Sequence, residues 1–192
     1  GSHTGYARLP QAVLHRRHVI FLKPDAWVLS DELTGKGKHR VSVFFHFAPG
    51  ISVTRAESGW LARKDGEKLF LVPLAPGMDF RIASGEENPM QGWYSSDYGH
   101  REPACVLVGE MEASTPLQLN WLLYPAKAGE DAPSLREETD DGSVVSVTRD
   151  GRMDWIVWGQ KTAQPSGAAL STNGSMATLR MDASGSVQRI IL

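Results

Sequence analysis

Apolar and polar residues alternate along most of the chain, with the two-residue period that is typical of β-strands. The clearest run covers residues 39–47, where Val41, Val43 and Phe45 fall on one face. Residues 17–22 and 26–33 alternate in the same way on either side of a short polar connection and therefore predict a first hairpin. No segment shows a sustained helical period with capping residues, so the pattern predicts little or no helix.

Turn residues divide the rest of the chain into further short strands. Asp65-Gly66 and Asp150-Gly151 lie between pairs of alternating runs and predict tight hairpins. Loops are predicted over the polar segments at residues 84–89, 126–142 and 160–174. About a dozen short strands at this spacing predict an all-β fold, an antiparallel two-layer β-sandwich. At 192 residues the chain fits a single domain, residues 1–192.

Charge and composition narrow the class of partner. The net charge of −2 argues against a nucleic-acid partner and against an anionic membrane surface. No apolar run approaches the roughly 18 residues that a membrane-spanning helix needs. Cys105 is the single cysteine, so an internal disulfide is impossible, and its apolar surroundings predict a buried thiol.

Most candidate catalytic and metal-binding motifs are excluded by their spacing or are absent from the sequence. His15 and His18 form an H-x-x-H pair, but on a strand a spacing of three sends the two rings to opposite faces. With no cysteine pair either, no metal or other cofactor is expected in this chain. Asp31 is interpreted as a structural acceptor for a turn or for a neighbouring arginine rather than a catalytic acid. Nucleophile-elbow, P-loop and dinucleotide motifs are absent.

One stretch, residues 90–106, concentrates side chains that suit a binding site. It places aromatic, basic and acid–base side chains within nine residues, with bends at Gly92 and Gly99: Trp93, Tyr94, Tyr98, His100 and Arg101. Tryptophan can stack on a sugar ring, arginine can pair with its carboxylate, and tyrosine and histidine can transfer protons. We predict a structured loop that either contacts a substrate directly or packs against the sandwich or a neighbouring domain.

Several longer segments, in order, carry a family resemblance. They are Arg8-Leu9-Pro10 followed by Val13-Leu14-His15-Arg16-Arg17, WVLSDEL at residues 27–33, HRVSVFFHFAPG at 39–50, QGWYSSDYGHREPA at 91–104 and LNWLLYP at 119–125. Together they resemble the β-sandwich domain of the heparinase II/III-like polysaccharide lyases, a group that includes the oligoalginate lyases. The resemblance spans roughly residues 5–125.

The resemblance implies that different parts of a larger enzyme supply the catalytic residues, the metal ligands and the sandwich. Family members place an α/α-toroid before the sandwich and cleave uronate-containing polysaccharides by β-elimination. Their proton-transfer tyrosine and histidine come largely from the toroid, and a further histidine and the metal ligands come from H-x-H-x-D-like and His-Asn-Thr segments. This chain contains neither segment. No catalytic or metal residue is therefore carried over.

The expected function follows from that comparison. We expect a sandwich module that helps to form the substrate cleft and is inactive alone, with an acidic polysaccharide and an upstream toroid as partners, in a periplasmic or secreted enzyme. Two alternatives of other classes remain. One is a free-standing carbohydrate-binding module that uses the Trp93–Arg101 stretch, and the other is a scaffold that docks a partner domain.

Overall fold

The chain forms two compact units, Gly1–Glu130 and Asp131–Leu192, and each is described by itself. The computed structural model describes residues 1–24, 26–74, 77–127, 129–139, 143–149, 151–158, 162–163, 170–171 and 176–191. The assignment of all 192 residues to one domain stays a prediction.

Strands make up nearly all of the regular structure, and the one helical segment within the described residues is a short 3-10 turn, Gly5–Arg8. In the first unit the strands are β1 Ser2–His3, β2 Val13–Leu22, β3 Ala26–Gly35, β4 Lys38–His46, β5 Ser52–Ala56, β6 Gly59–Lys64, β7 Glu67–Leu74, β8 Asp79–Ala83, β9 Glu86–Glu87, β10 Met90–Gln91, β11 Trp93–Asp97, β12 His100–Pro103, β13 Val106–Ser114 and β14 Leu117–Ala126. In the second unit they are β15 Ser134–Glu137, β16 Val144–Arg149, β17 Arg152–Trp158, β18 Thr162–Ala163, β19 Leu170–Ser171, β20 Met176–Met181 and β21 Val187–Ile191.

The first unit is a sandwich of two antiparallel sheets. Seven strands form one sheet in the order β1-β2-β3-β14-β7-β6-β5, and three form the other in the order β4-β13-β8. The core between them is centred on Trp121, which is fully buried and meets the rings of Phe45 and Phe80 at centroid distances of 5.1 and 6.3 Å. Edge-on packing of this kind adds to the free energy gained by burial. The predicted all-β antiparallel fold is confirmed.

The register of the first hairpin positions the residues described below. β2 and β3 pair with Leu22 opposite Ala26, which brings Arg17 opposite Asp31. On its other side β3 pairs with β14, where Leu119 lies opposite Asp31. Because alternate side chains share a face, Asp31 points toward the same side as the core leucines of β3.

Four predicted loops contain strands instead. Residues 84–89 and the structured loop predicted within residues 90–106 hold β9 to β12, which pair as two short antiparallel ladders. The loop predicted at 126–142 contains β15, which pairs with β16. These ladders are two to five residues long. They lack a sustained apolar alternation, which is the signal that the sequence pattern depends on. In residues 160–174 the short strands β18 and β19 pair, and the remainder lies outside the described residues.

The second unit contains a five-stranded antiparallel sheet in the order β15-β16-β17-β20-β21. Val144, Val157 and Ala177 are buried in its core. On the other face of this sheet, Asp154 is also buried and accepts hydrogen bonds from Arg180 at 2.6 and 3.0 Å. A carboxylate this deeply buried is stable in its charged form only when paired in this way.

The structure also bears on the predictions about Cys105 and about membrane-spanning helices. Cys105 is partly rather than fully buried and packs against the core of the first unit. No helix long and apolar enough to cross a membrane occurs in the part of the chain that the structure describes.

Candidate functional site

The side chains singled out by the sequence lie on a small projection, residues 84–103, which we call the hairpin arm. Its base is closed by the carbonyl of Gly92, which accepts the backbone N–H groups of Gly85 at 2.8 Å and Ala104 at 2.9 Å. Gly92 has φ of +78°, and a Cβ at this position would lie 2.5 Å from the Cα of Ser84. Only glycine tolerates both conditions without a backbone shift.

Trp93 and Arg101 contact each other closely on one face of the arm. The Arg101 guanidinium lies 4.2 Å from the centroid of the Trp93 ring, a cation–π contact. The indole N–H of Trp93 donates to the carbonyl of Glu86 at 2.9 Å, which fixes the ring. Arg101 also pairs with the exposed carboxylate of Glu87 at 2.9 Å. Arg101 is therefore held in place while its side chain stays partly open to solvent.

The structure divides the five predicted site residues between two faces and a tip. Trp93 lies opposite Pro103, so Arg101, two residues earlier on β12, shares its face. Tyr94 lies opposite Glu102, and His100 falls on that other face. Tyr98 sits at the turn between the strands and is 99% exposed. Only Trp93 and Arg101 are brought into direct contact.

This arrangement suits binding better than proton transfer. Among the described residues, neither the Tyr98 hydroxyl nor the His100 ring has a hydrogen-bond partner that would orient it. A general acid or base needs such positioning relative to its substrate. The Trp93–Arg101 pair, in contrast, is an ordered aromatic and cationic surface of the kind that recognises an anionic ring.

A second polar cluster is centred on Asp31, a buried carboxylate of the first unit. Asp31 is 3% exposed and accepts hydrogen bonds from Arg17 Nε at 2.7 Å, Arg17 Nη2 at 2.8 Å, His15 Nε2 at 2.7 Å and Trp121 Nε1 at 3.2 Å. Burial alone would raise the pKa of Asp31. The hydrogen bonds from Arg17 and His15 and the charge of Arg17 outweigh it and hold the pKa below its ordinary value. The sequence-based interpretation of Asp31 as a structural acceptor is confirmed, and of the two donors considered, a turn and a neighbouring arginine, the structure shows the arginine.

The hydrogen bonds around His15 also assign the protons on two rings. His3 Nδ1 accepts the backbone N–H of Gly5 at 3.1 Å, so its proton is on Nε2. That nitrogen lies 3.1 Å from His15 Nδ1, which must then accept, leaving His15 Nε2–H to donate to Asp31. In this arrangement each ring donates through Nε2 and accepts at Nδ1.

Beside this cluster a cavity of about 420 Å³ separates β2 and β3 from β4. Its lining includes His15, Arg17 and Asp31 on one side and His39 and Arg40 on the other. Arg16, the neighbour of Arg17, does not line it, as expected for adjacent residues of a strand. Within the described residues, no group of three or more His, Cys, Asp or Glu side chains is placed to hold a metal ion.

Sequence reasoning named Asp31 but missed the cluster around it. The signal lay in the hairpin register, because a short connection that sets Leu22 opposite Ala26 also sets Arg17 opposite Asp31. Trp121 joins from a strand 90 residues further along the chain. Its contribution depends on long-range pairing that no local pattern reveals.

Comparison with known proteins identifies one family that matches the chain and solved structures that share its fold. The family described as "Heparinase II/III-like, C-terminal" matches residues 1–122. Among solved structures, heparinase III, the BT4657 gene product, is 20% identical with a TM-score of 0.54, over 88% of this chain and 23% of that protein. A mutant of the heparan sulfate lyase HepC from Pedobacter heparinus is 16% identical with a TM-score of 0.57, over 92% of this chain and 25% of that protein. At these identities the structural likeness shows a shared fold alone.

The present chain thus spans about a quarter of the length of these solved structures. A search among curated proteins gave no match.

Proposed function

The chain belongs to the heparinase II/III-like C-terminal family, and from this premise we propose that it is the non-catalytic sandwich part of a polysaccharide lyase. In the complete enzyme an acidic, uronate-containing polysaccharide is cleaved by β-elimination, with the proton-transfer groups supplied by an upstream toroid. The present chain contributes one wall of the substrate cleft. Its structural neighbours are named heparinase III and heparan sulfate lyase, which supports an acidic polysaccharide as the substrate class.

The observation that carries this proposal is the ordered Trp93–Arg101 pair on the hairpin arm. The aromatic ring fixes the guanidinium, so little side-chain entropy is lost when a ligand carboxylate or sulfate binds. Glu87 already pairs with Arg101, but both side chains are largely exposed, and such surface pairs are worth about 0–1 kcal/mol. A ligand anion can therefore replace Glu87 at small cost.

The proposed role excludes turnover by this chain alone. Its test is incubation with alginate, heparin, heparan sulfate and hyaluronan while the ultraviolet absorbance of the unsaturated product is followed. We expect no product from any of the four. Clear turnover would overturn the non-catalytic role.

Binding is tested with the same polysaccharides by calorimetry. We expect Arg101→Ala to weaken binding roughly tenfold, because a charge-assisted hydrogen bond is lost. Trp93→Ala is expected to act in the same direction by releasing the guanidinium. Arg55→Ala is a matched control, since Arg55 also lies over a tryptophan ring, Trp60, at 5.1 Å, but outside the arm.

The outcomes separate a glycan-binding arm from one that docks a neighbouring domain. Binding that is lost with Arg101→Ala but kept with Arg55→Ala supports glycan contact by the arm, which the cleft role requires. Absence of binding in the wild-type chain overturns it and favours an arm that docks a neighbouring domain.

A further inference from the structure

One face of β2 is exposed from Arg17 to Phe21 although its neighbours use the same face to build the core. His15, Arg17, Val19 and Phe21 alternate onto this face, and we call these four residues the β2 strip. Val19 lies opposite Leu29, which in turn lies opposite the buried Trp121. The strip thus continues the inner face of the seven-stranded sheet, yet Val19 is 63% exposed and Phe21 37% exposed.

The polar half of the strip carries a cation that is already fixed in position. Arg17 donates from Nε and Nη2 to both oxygens of Asp31. Its remaining nitrogen, Nη1, has no hydrogen-bond partner among the described residues, and the side chain is 43% exposed. The guanidinium is therefore ordered before any ligand arrives, with one N–H edge open to an anion.

The apolar half of the strip ends in an ordered aromatic ring. Phe21 stacks on Trp27 with a centroid distance of 4.5 Å and an angle of 6° between the ring planes. One face of Phe21 is covered by this stack, so its exposed area lies away from Trp27. From His15 to Phe21 the strip runs for roughly 20 Å along an extended strand.

The cavity next to the polar half adds space and further polar groups. It lies between the His15–Arg17 end of the strip and β4, where His39 and Arg40 contribute to its lining. Arg40 is largely exposed and pairs with Glu110 at 2.9 Å. The lining contains two arginines, Arg17 and Arg40, and one carboxylate, Asp31.

From these observations we infer that the β2 strip is a second binding site for an acidic oligosaccharide, separate from the hairpin arm. The carboxylate or sulfate of the ligand accepts from Arg17 Nη1, and a sugar ring packs against Phe21. A fixed cation in line with an aromatic ring matches a ligand that carries an anionic group on an apolar ring face. The inference rests on the proposed function for its ligand class, and it goes beyond that proposal because the strip shares no residue with the arm.

The experiment places a negative charge in the middle of the strip. Val19→Glu changes an exposed side chain between Arg17 and Phe21, so the fold should be kept, and the new carboxylate both repels the ligand and competes for Arg17. Val187→Glu is the matched control, the same substitution on a strand at 52% exposure in the other unit. The probes are alginate and heparin hexasaccharides, measured by calorimetry and by shifts of backbone amide resonances.

The expected result is a ligand-induced shift of the amides of residues 15–21 and a roughly fivefold loss of affinity for Val19→Glu, with Val187→Glu unchanged. Binding that shifts only the hairpin arm and is equal in the two variants would overturn the strip and leave the proposed function standing. That outcome is also the one expected if the strip docks a protein domain. Absence of binding by the wild-type chain to either probe would overturn both.

Discussion

Replacing Asp31 by asparagine keeps the shape of a buried side chain and removes its charge. The carboxylate accepts four hydrogen bonds, two from Arg17 and one each from His15 and Trp121. Asparagine has one acceptor oxygen and one NH₂ group. When its oxygen serves His15 and Arg17 Nε, the NH₂ group faces Arg17 Nη2 and Trp121 Nε1, which are both donors.

The size of the effect follows from the burial of these donors. Trp121 is fully buried, and a buried N–H without an acceptor costs about 1–3 kcal/mol. Arg17 is 43% exposed and can turn toward water, so the lost ion pair adds no more than about 1 kcal/mol. We expect Asp31→Asn to lower the free energy of unfolding of the first unit by about 2–3 kcal/mol.

The assay is urea denaturation followed by far-ultraviolet circular dichroism. Glu32→Gln is the control, because Glu32 lies next to Asp31 and pairs with Arg16 across the same two strands, at 3.4 Å and with both side chains exposed. We expect this change to cost less than about 0.5 kcal/mol. Equal losses in the two variants would refute the assignment of the Asp31 cluster as an anchor of the sheet.

Two further predictions concern pH and the hairpin arm. The pKa of Asp31 is lowered in the folded chain, so its stabilising contribution is complete above the unfolded value of about 3.9 and is lost as the pH falls through the lower folded value. Urea midpoints measured between neutral pH and about pH 3 should therefore fall more steeply for the wild-type chain than for Asp31→Asn, and parallel curves would contradict this. Gly92→Ala should loosen the base of the arm, because a Cβ would lie 2.5 Å from the Cα of Ser84. We expect the Ala104 amide to exchange its hydrogen faster in this variant than in the wild-type chain. Gly99→Ala at the open turn is the control, and unchanged exchange in Gly92→Ala would count against a loosened base.

The strands of this fold could be predicted from the sequence because the residue patterns that indicate them are local. Val41, Val43 and Phe45 alternate with polar residues, and Asp65-Gly66 supplies the backbone angles of a tight turn. Such signals depend on neighbours within a few positions. They predicted the all-β antiparallel fold, which the structure confirms.

The site was accessible only in part, because its geometry depends on pairing partners. The sequence identified Trp93 and Arg101 as a cluster, and the structure brings them into contact. It did not reveal that Tyr94 and His100 face the other way, since that follows from the short β11–β12 ladder. The strip on β2 depends similarly on which strands the second sheet covers, a long-range property of the whole unit.

The most direct test of the proposed cleft role is the salt dependence of acidic hexasaccharide binding. It is measured by calorimetry for the wild-type chain and for the Arg101→Ala and Arg55→Ala variants. Because the contacts are between charges at an exposed surface, binding should weaken as salt is raised. We predict that Arg101→Ala binds more weakly than the wild-type chain at low salt and shows a shallower dependence on salt, while Arg55→Ala matches the wild-type chain. No detectable binding, or equal binding by all three proteins, would contradict a glycan-binding role for the hairpin arm.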